Sequence, residues 1–283
     1  MNQLKTHPGE TRTIDQLRQH YEVEKELADR LRNCSKQDRT KMYSKVYDEL
    51  FRRVPLHPQL TRVEDPQCVA GIVREKMQLL SYFLKPSTVF LEVGSGDCRL
   101  TLEVARRVSK AYGLDVSEEV SKGLQYPANF EFVLSNGTNI PVPPGSITVA
   151  YSYQLIEHVH PDDALEQLTN IYRALAPGGV YICITPNSLS GPHDVSRHFD
   201  AIACGFHMKE YTLTELGGIF RQTGFHEVSL LTGLRGSYAN IPLGPVSALE
   251  RLLSCFEGTL SRKLAKTPVV RNLLMAAVVG RKS

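Results

Sequence analysis

The sequence lacks any pair of cysteines at Cys-x-x-Cys spacing. Its six cysteines stand apart, at positions 34, 68, 98, 183, 204 and 255, and a chain of 283 residues needs no disulfide framework. That excludes the common zinc and dithiol motifs and makes a reduced, cytoplasmic setting the simpler expectation. Long hydrophobic runs are missing too. The longest near the end, Asn272 to Gly280, is about half a membrane span. The polar stretch from Met1 to Pro8 has no apolar core of the kind that marks a signal peptide. Neither sign of charge dominates: 33 basic and 30 acidic residues leave a net charge of +3. That balance gives no argument for nucleic acid or a membrane surface as partner. No internal repeat or low-complexity tract is present.

What is present is one organising stretch, Val89 to Arg106. It begins as an apolar, β-branched run, turns through Gly94 and Gly96, and continues at helical spacing. A strand, a tight glycine turn and a helix start in that order make a ligand site at the carboxyl end of a strand. The loop also has absences. The third glycine of a dinucleotide fingerprint would fall at 99, which is Arg99, and no Gly-Lys-Ser/Thr follows. Glu92 at the end of the strand would repel a pyrophosphate and suit a cationic ligand.

The rest of the chain alternates strands and helices. Ile14, Leu17, Tyr21, Ala28 and Leu31 share one helical face. Ser35 to Asp38 resembles a capping box, ahead of Met42, Tyr43, Val46, Tyr47, Leu50 and Phe51. Together they predict a helical hairpin ahead of the glycine loop. It is either a packing appendage or a lid whose Tyr21, Tyr43 and Tyr47 face a substrate. Asp65-Pro66 starts a further helix. Ala111 to Asp115 reads as a second strand ending in an acid, 19 residues after Gly96. Such an acid either binds ribose hydroxyls or caps a helix starting near Ser117. Strands follow at 130–134, 147–153, 180–185, 225–231 and 273–279, with helices from Pro161 and over 212–222. Residues 235–267 hold polar turns and one or two helices. The pattern predicts an α/β fold: a seven-stranded, mostly parallel, Rossmann-like sheet with helices on both faces, preceded by the hairpin.

Glu92-x-Gly94-x-Gly96, Asp115, the Asn136-Gly137 turn and Ala176-Pro-Gly-Gly179 resemble the class I S-adenosylmethionine-dependent methyltransferases. Gln154 to Asp163 is similar to the type 11, ubiquinone/menaquinone-like branch. The resemblance covers residues 86–234 and the final strand. It implies S-adenosylmethionine as cofactor, with Gly94 and Gly96 against the methionine moiety and Glu92 near its amino group. It also implies Asp115 on the ribose, Asn136 and Gly137 facing the adenine, and Gln154 near cofactor and acceptor. Asn136 stands where many relatives carry Asp, and Cys98 replaces the family's third glycine. The domain would span 61–283, with 235–267 as a lid insertion, and residues 1–60 would be a lid or a dimerisation segment.

Methyl transfer from a sulfonium is an in-line displacement that needs positioning and exclusion of water. An oxygen acceptor must also lose a proton. His158 is the first candidate for that base, by its place after strand four, and His193 the second, ahead of His160 and His198, with Glu157 or Asp194 as orienting partners. No metal is expected, because His193, Asp194 and His198 on one loop have no established ligand spacing. The Asn/Asp-Pro-Pro-Tyr motif of nucleic-acid and protein amino-methylating enzymes is absent after strand four, where Tyr151 to Gln154 stands. A small-molecule acceptor, methylated on a hydroxyl oxygen in quinone-type or secondary-metabolite biosynthesis, is the leading expectation, with nitrogen and carbon acceptors as alternatives. A non-catalytic cofactor-binding protein and a nicotinamide oxidoreductase are the competing classes. Arg99 and Glu92 argue against the second.

Overall fold

A computed structural model of the chain describes residues 10–61, 66–117, 125–234 and 237–283. Two amphipathic helices come first. In Ile14–Asn33 (α1) the Thr13 hydroxyl accepts from Gln16 N while the Gln16 side chain accepts from Thr13 N. Lys36–Arg53 (α2) begins where Ser35 Oγ accepts from Asp38 N. Leu27 and Leu31 of α1 meet Tyr43, Val46 and Leu50 of α2 in a small core of their own. A single turn, Pro58–Thr61 (α3), and Pro66–Leu80 (α4) lead into the sheet. The cap expected at Asp65 lies outside the described residues, as does most of the helix expected after Ser117.

The sheet comprises Val89–Val93 (β1), Lys110–Asp115 (β2), Phe130–Leu134 (β3), Ile147–Tyr153 (β4), Leu175–Ile184 (β5), Glu227–Leu234 (β6), Ser237–Pro242 (β7) and Ala277–Arg281 (β8). Their order is β3-β2-β1-β4-β5-β8-β6-β7. β1 to β5 are parallel, and β8 runs antiparallel between β5 and β6. The chain leaves β1 toward β2 and β3, then crosses back to β4 on the other side of β1. That reversal opens a crevice at the carboxyl ends of β1 and β4.

Helices cover both faces. Arg99–Ala105 (α5) joins α4 against Phe90, Val149 and Tyr151 on one face. Pro161–Ala174 (α6), Leu213–Thr223 (α7) and Leu243–Ser254 (α8) cover Leu91, Val93 and Ala150 on the other. The strict alternation along β1, Phe90 to one side and Leu91 to the other, reflects the two-residue period of a strand buried on both faces.

Two expectations need correction. The sheet has eight strands, not seven, because Ser237–Pro242 folds back on β6 as an antiparallel edge. β7 is mostly exposed, so its sequence carries no apolar alternation to announce a strand. The last strand also starts later than Leu273. Pro268 opens the helix Pro268–Leu274 (α10), and the chain becomes extended only from Ala277. Much of the stretch expected as a lid over 235–267 is packed: Leu243 and Val246 of α8 enter the sheet core, and Gly258–Ala265 (α9) buries Ala265.

Candidate functional site

The glycine loop leaves β1 in the left-handed region, with φ of +77° at Gly94 and +50° at Gly96. The N–H groups of Gly94 and Ser95 both donate to Leu114 O, at 2.8 and 2.9 Å. Asp115 completes the fastening. Its carboxylate accepts from Gly96 N at 2.8 Å and Val116 N at 2.7 Å. Burial nonetheless pushes its pKa up, outweighing hydrogen bonds that come only from uncharged backbone N–H groups. Among the described residues, two other than glycine take positive φ, Cys98 at +57° after the glycine turn and Gln154 at +53° at the end of β4. Backbone held in that region is costly and tends to gather at binding sites.

Gly94 borders two cavities. The wider, about 480 Å³, is lined by Glu92, Ser95, Lys76, Tyr151 and Tyr153. Glu92 is 5 % exposed and is held by the Thr101 hydroxyl, and burial pushes its pKa up to about 7. The narrower, about 60 Å³, is lined by Asp115, Ser135, Gly137, Leu155, Tyr43 and Tyr47. It is closed by side chains that a ligand would have to displace. A Cβ on Gly94 would meet Leu155 Cδ1 at 2.9 Å, and one on Gly137, itself at φ +98°, would meet Tyr43 Cδ2 at 2.7 Å. The hairpin therefore lies on the site. Tyr43 OH donates to Asp163 Oδ2 at 2.8 Å and accepts from His160 N at 3.0 Å, which holds α2 against the start of α6. Tyr21, the third aromatic of the expected stripe, instead donates to Asp200 away from these cavities.

Of the expected site residues, Glu92, Gly94, Gly96, Asp115 and Gly137 are brought together. Asn136 is not. Its side chain is exposed and its Oδ1 accepts from Thr138 N and Asn139 N, closing its own turn. Ser135 and Gly137 line the cavity in its place. Gln154 turns at the end of β4, where its N–H donates to Ile184 O.

His158 borders the narrow cavity and also a third, of about 180 Å³, with His20, Glu24, His57, His193 and His207. Burial and the nearby His207 push His158 down to about 3. His193 is held differently. Its Nδ1 lies 3.1 Å from Glu210 Oε2 and its Nε2 3.1 Å from Ser190 Oγ. Sequence reasoning missed Glu210, His207, and the His20–Glu24–His57 cluster. Helical spacing of His20 and Glu24 was the one available signal, and it had no visible partner until the chain from α2 to α3 brought His57 in.

Glu24 predicts an acid transition. Burial raises a carboxyl pKa, but the hydrogen bond from His20 Nε2 at 2.8 Å and the nearby His57 ring outweigh this and hold Glu24 at about 2. Arg12, which faces the other nitrogen of His20 at 2.8 Å, adds positive charge, and Asp194 on the neighbouring loop opposes it. A depressed carboxylate stabilises the fold above its unfolded pKa. That contribution, about 3 kcal/mol, is lost as pH falls from about 4.5 toward 2. Urea unfolding at pH 7 and pH 3.5 checks it. Wild type should lose more stability on acidification than Glu24→Gln, and an equal loss in both would remove Glu24 as the cause.

The parallel order, the reversal at β1 and β4, and an acid at the end of β2 facing a glycine turn define a doubly wound α/β domain with its crevice at the carboxyl ends of β1 and β4. Known proteins point to a kind of domain: residues 91–183 match the sequence family described as a methyltransferase domain. A probable S-adenosylmethionine-dependent methyltransferase of Mycolicibacterium smegmatis is 30% identical over 152 residues, 52% of this chain and 55% of that protein. The chain thus spans about half the length of the curated relative it matches. Among solved structures, a Thermotoga maritima methyltransferase described as a possible histamine N-methyltransferase superposes with a TM-score of 0.50 at 14% identity, over 93% of this chain and all of that one. The Bacillus subtilis YcgJ protein gives 0.48 at 16% identity, over 74% of this chain and 98% of its own. These two likenesses concern the fold alone. No helix among the described residues is long and apolar enough to cross a membrane.

Proposed function

We propose that the chain transfers a methyl group from S-adenosylmethionine to a small-molecule acceptor, with a hydroxyl oxygen as the preferred target. The observation that carries the reading is the fastening of the glycine turn by Asp115, with a second carboxylate, Glu92, across Gly94. The residues fit a nucleoside bearing a cationic, amino-acid tail. Asp115 offers a carboxylate to ribose hydroxyls, and Val93, Leu114 and Val159 offer apolar walls to a base. Glu92, at about 7 when alone, would regain its charge beside an ammonium group. When bound, S-adenosylmethionine supplies an already activated methyl group. The chain's share is to hold the acceptor in line, keep water out and take a proton.

His193 is the base in this reading, since its ring is oriented by Glu210 whereas His158 is too weakly basic. The third cavity, which both rings border, is the acceptor site. The hairpin is a lid: α2 must lift for the nucleoside to replace Tyr43 and Leu155 at the two glycines. The free thiols of Cys34, Cys98, Cys183, Cys204 and Cys255 suit a reduced, cytoplasmic setting.

Calorimetric titration with S-adenosylmethionine, and separately with NADH, tests the reading. Asp115→Ala should weaken sulfonium binding about tenfold to a hundredfold, the range for losing charge-assisted hydrogen bonds. Tighter binding of NADH, or no binding of the sulfonium by wild type, would sink it.

A further inference from the structure

Two buried clusters of histidine and carboxylate lie beside the third cavity. In the first, His20, Glu24 and His57, the ligand atoms are already used. Arg12 Nη1 is 2.8 Å from His20 Nδ1 and can only donate, so the ring proton sits on Nε2 and goes to Glu24 Oε1. A metal ion there would have to displace that proton beside a guanidinium. This cluster is a finished hydrogen-bond network.

The second, Glu157, His158 and His207, is unfinished. Its three ligand atoms lie within 4.8 Å of one another. Glu157 is fully buried, its Oε2 accepts from Thr185 Oγ1 at 2.9 Å, and its Oε1 has no hydrogen-bond partner among the described residues. A buried carboxylate oxygen left without a partner is costly and calls for an explanation. Both rings are anchored through Nδ1: His158 to Phe206 O at 3.1 Å and His207 to Glu210 Oε1 at 2.7 Å. A carbonyl and a carboxylate both accept, so each Nδ1 carries a proton, and in the neutral form of each ring Nε2 keeps its lone pair for a metal. Histidines that bind metals are oriented in this way, their second nitrogen donating to a carbonyl or carboxylate. The rings cross at 89° with centroids 4.9 Å apart, and so approach the Glu157 side from different directions.

We propose that Glu157 Oε1 and the Nε2 atoms of His158 and His207 form a binding site for a divalent transition-metal ion of the zinc or iron(II) class. Two imidazoles and one carboxylate suit these ions and leave coordination positions open. Thr185, Phe206 and Glu210 form the supporting layer. Two segments distant in sequence supply the ligands: the turn after β4, and the loop that precedes α7. The site lies between the narrow cavity and the third one, both of which His158 borders. An acceptor oxygen would take an open position on the ion, a role that rests on the methyltransferase reading.

The test uses the full chain, stripped with chelator and titrated with Co²⁺ by visible absorption and with Zn²⁺ by calorimetry. One equivalent per chain is expected, with Co²⁺ ligand-field bands and a rise in Tm. His207→Asn and Glu157→Gln should each weaken binding about a hundredfold or more, Glu210→Gln about tenfold to a hundredfold, and His57→Asn not at all. Absence of saturable binding by wild type, as when the Glu157 oxygen merely holds a water, overturns the proposal. So does binding lost in His57→Asn and kept in His207→Asn. S-adenosylmethionine titrated into the same samples separates the two readings. Metal binding without sulfonium binding keeps the site and removes the methyltransferase role.

Discussion

Replacing His193 by Gln is expected to slow methyl transfer by about 10²–10⁴-fold, the usual worth of a positioned general base, with sulfonium affinity unchanged. The ring is held from two sides. Glu210 Oε1 accepts from His193 N at 2.7 Å, and its Oε2 lies 3.1 Å from Nδ1. The carboxylate can only accept, so the Nδ1 proton points to Glu210 and the Nε2 lone pair faces Ser190 Oγ at 3.1 Å. An acceptor hydroxyl that takes the place of Ser190 Oγ would lose its proton to that lone pair. Glu210 reaches this position only because Gly191 has no side chain: a Cβ there would fall 2.0 Å from its Oε2. Single-turnover rates with saturating cofactor give the decisive comparison. If His193→Gln turns over like wild type, positioning without this base is the better account, and His158→Ala becomes the next variant to measure.

The glycine-turn half of the candidate site was legible in the sequence because it is local. Gly94, Gly96 and Glu92 lie within five residues, and Asp115 ends the next strand, so strand and turn periodicity alone place them together. Their parallel pairing, Val93 opposite Leu114, then follows from the alternation of strands and helices. The histidine-lined half was not legible, because it is assembled from distant segments. His207 and Glu210 come from a loop whose only regular pieces are two short 3₁₀ turns, Ser188–Ser190 and Val195–His198. Glu24 and His57 come from the hairpin region. No spacing rule joins residues 24, 57, 158 and 207, and their approach depends on how α1 and α2 dock. Asn136 shows the opposite failure. It was expected to face an adenine, and its short polar side chain instead accepts from the backbone of its own turn. The eighth strand was missed for want of a hydrophobic signal on an exposed edge.

That docking includes a buried ion pair, and Arg39→Met is expected to cost about 3–5 kcal/mol of stability. Arg39 meets Asp163 with two hydrogen bonds, Nε to Oδ2 at 2.7 Å and Nη2 to Oδ1 at 3.0 Å, and the two side chains are 4% and 0% exposed. Removing the guanidinium strands a carboxylate with Tyr43 as its one remaining side-chain donor among the described residues. The loss should exceed that of the double variant Arg39→Met/Asp163→Leu, because a buried charge without its partner costs more than an apolar replacement of both. Urea unfolding measures the total, and hydrogen exchange over residues 36–53 shows where it is taken. Faster exchange confined to α2 means the hairpin lifts while the sheet stays folded, as a lid requires. The same variant should then bind S-adenosylmethionine with a higher on-rate, since α2 no longer has to lift against the Arg39–Asp163 pair. A loss under about 1 kcal/mol, the worth of an exposed pair, with exchange unchanged, would show that α2 is held by its apolar face and that this ion pair is not the latch.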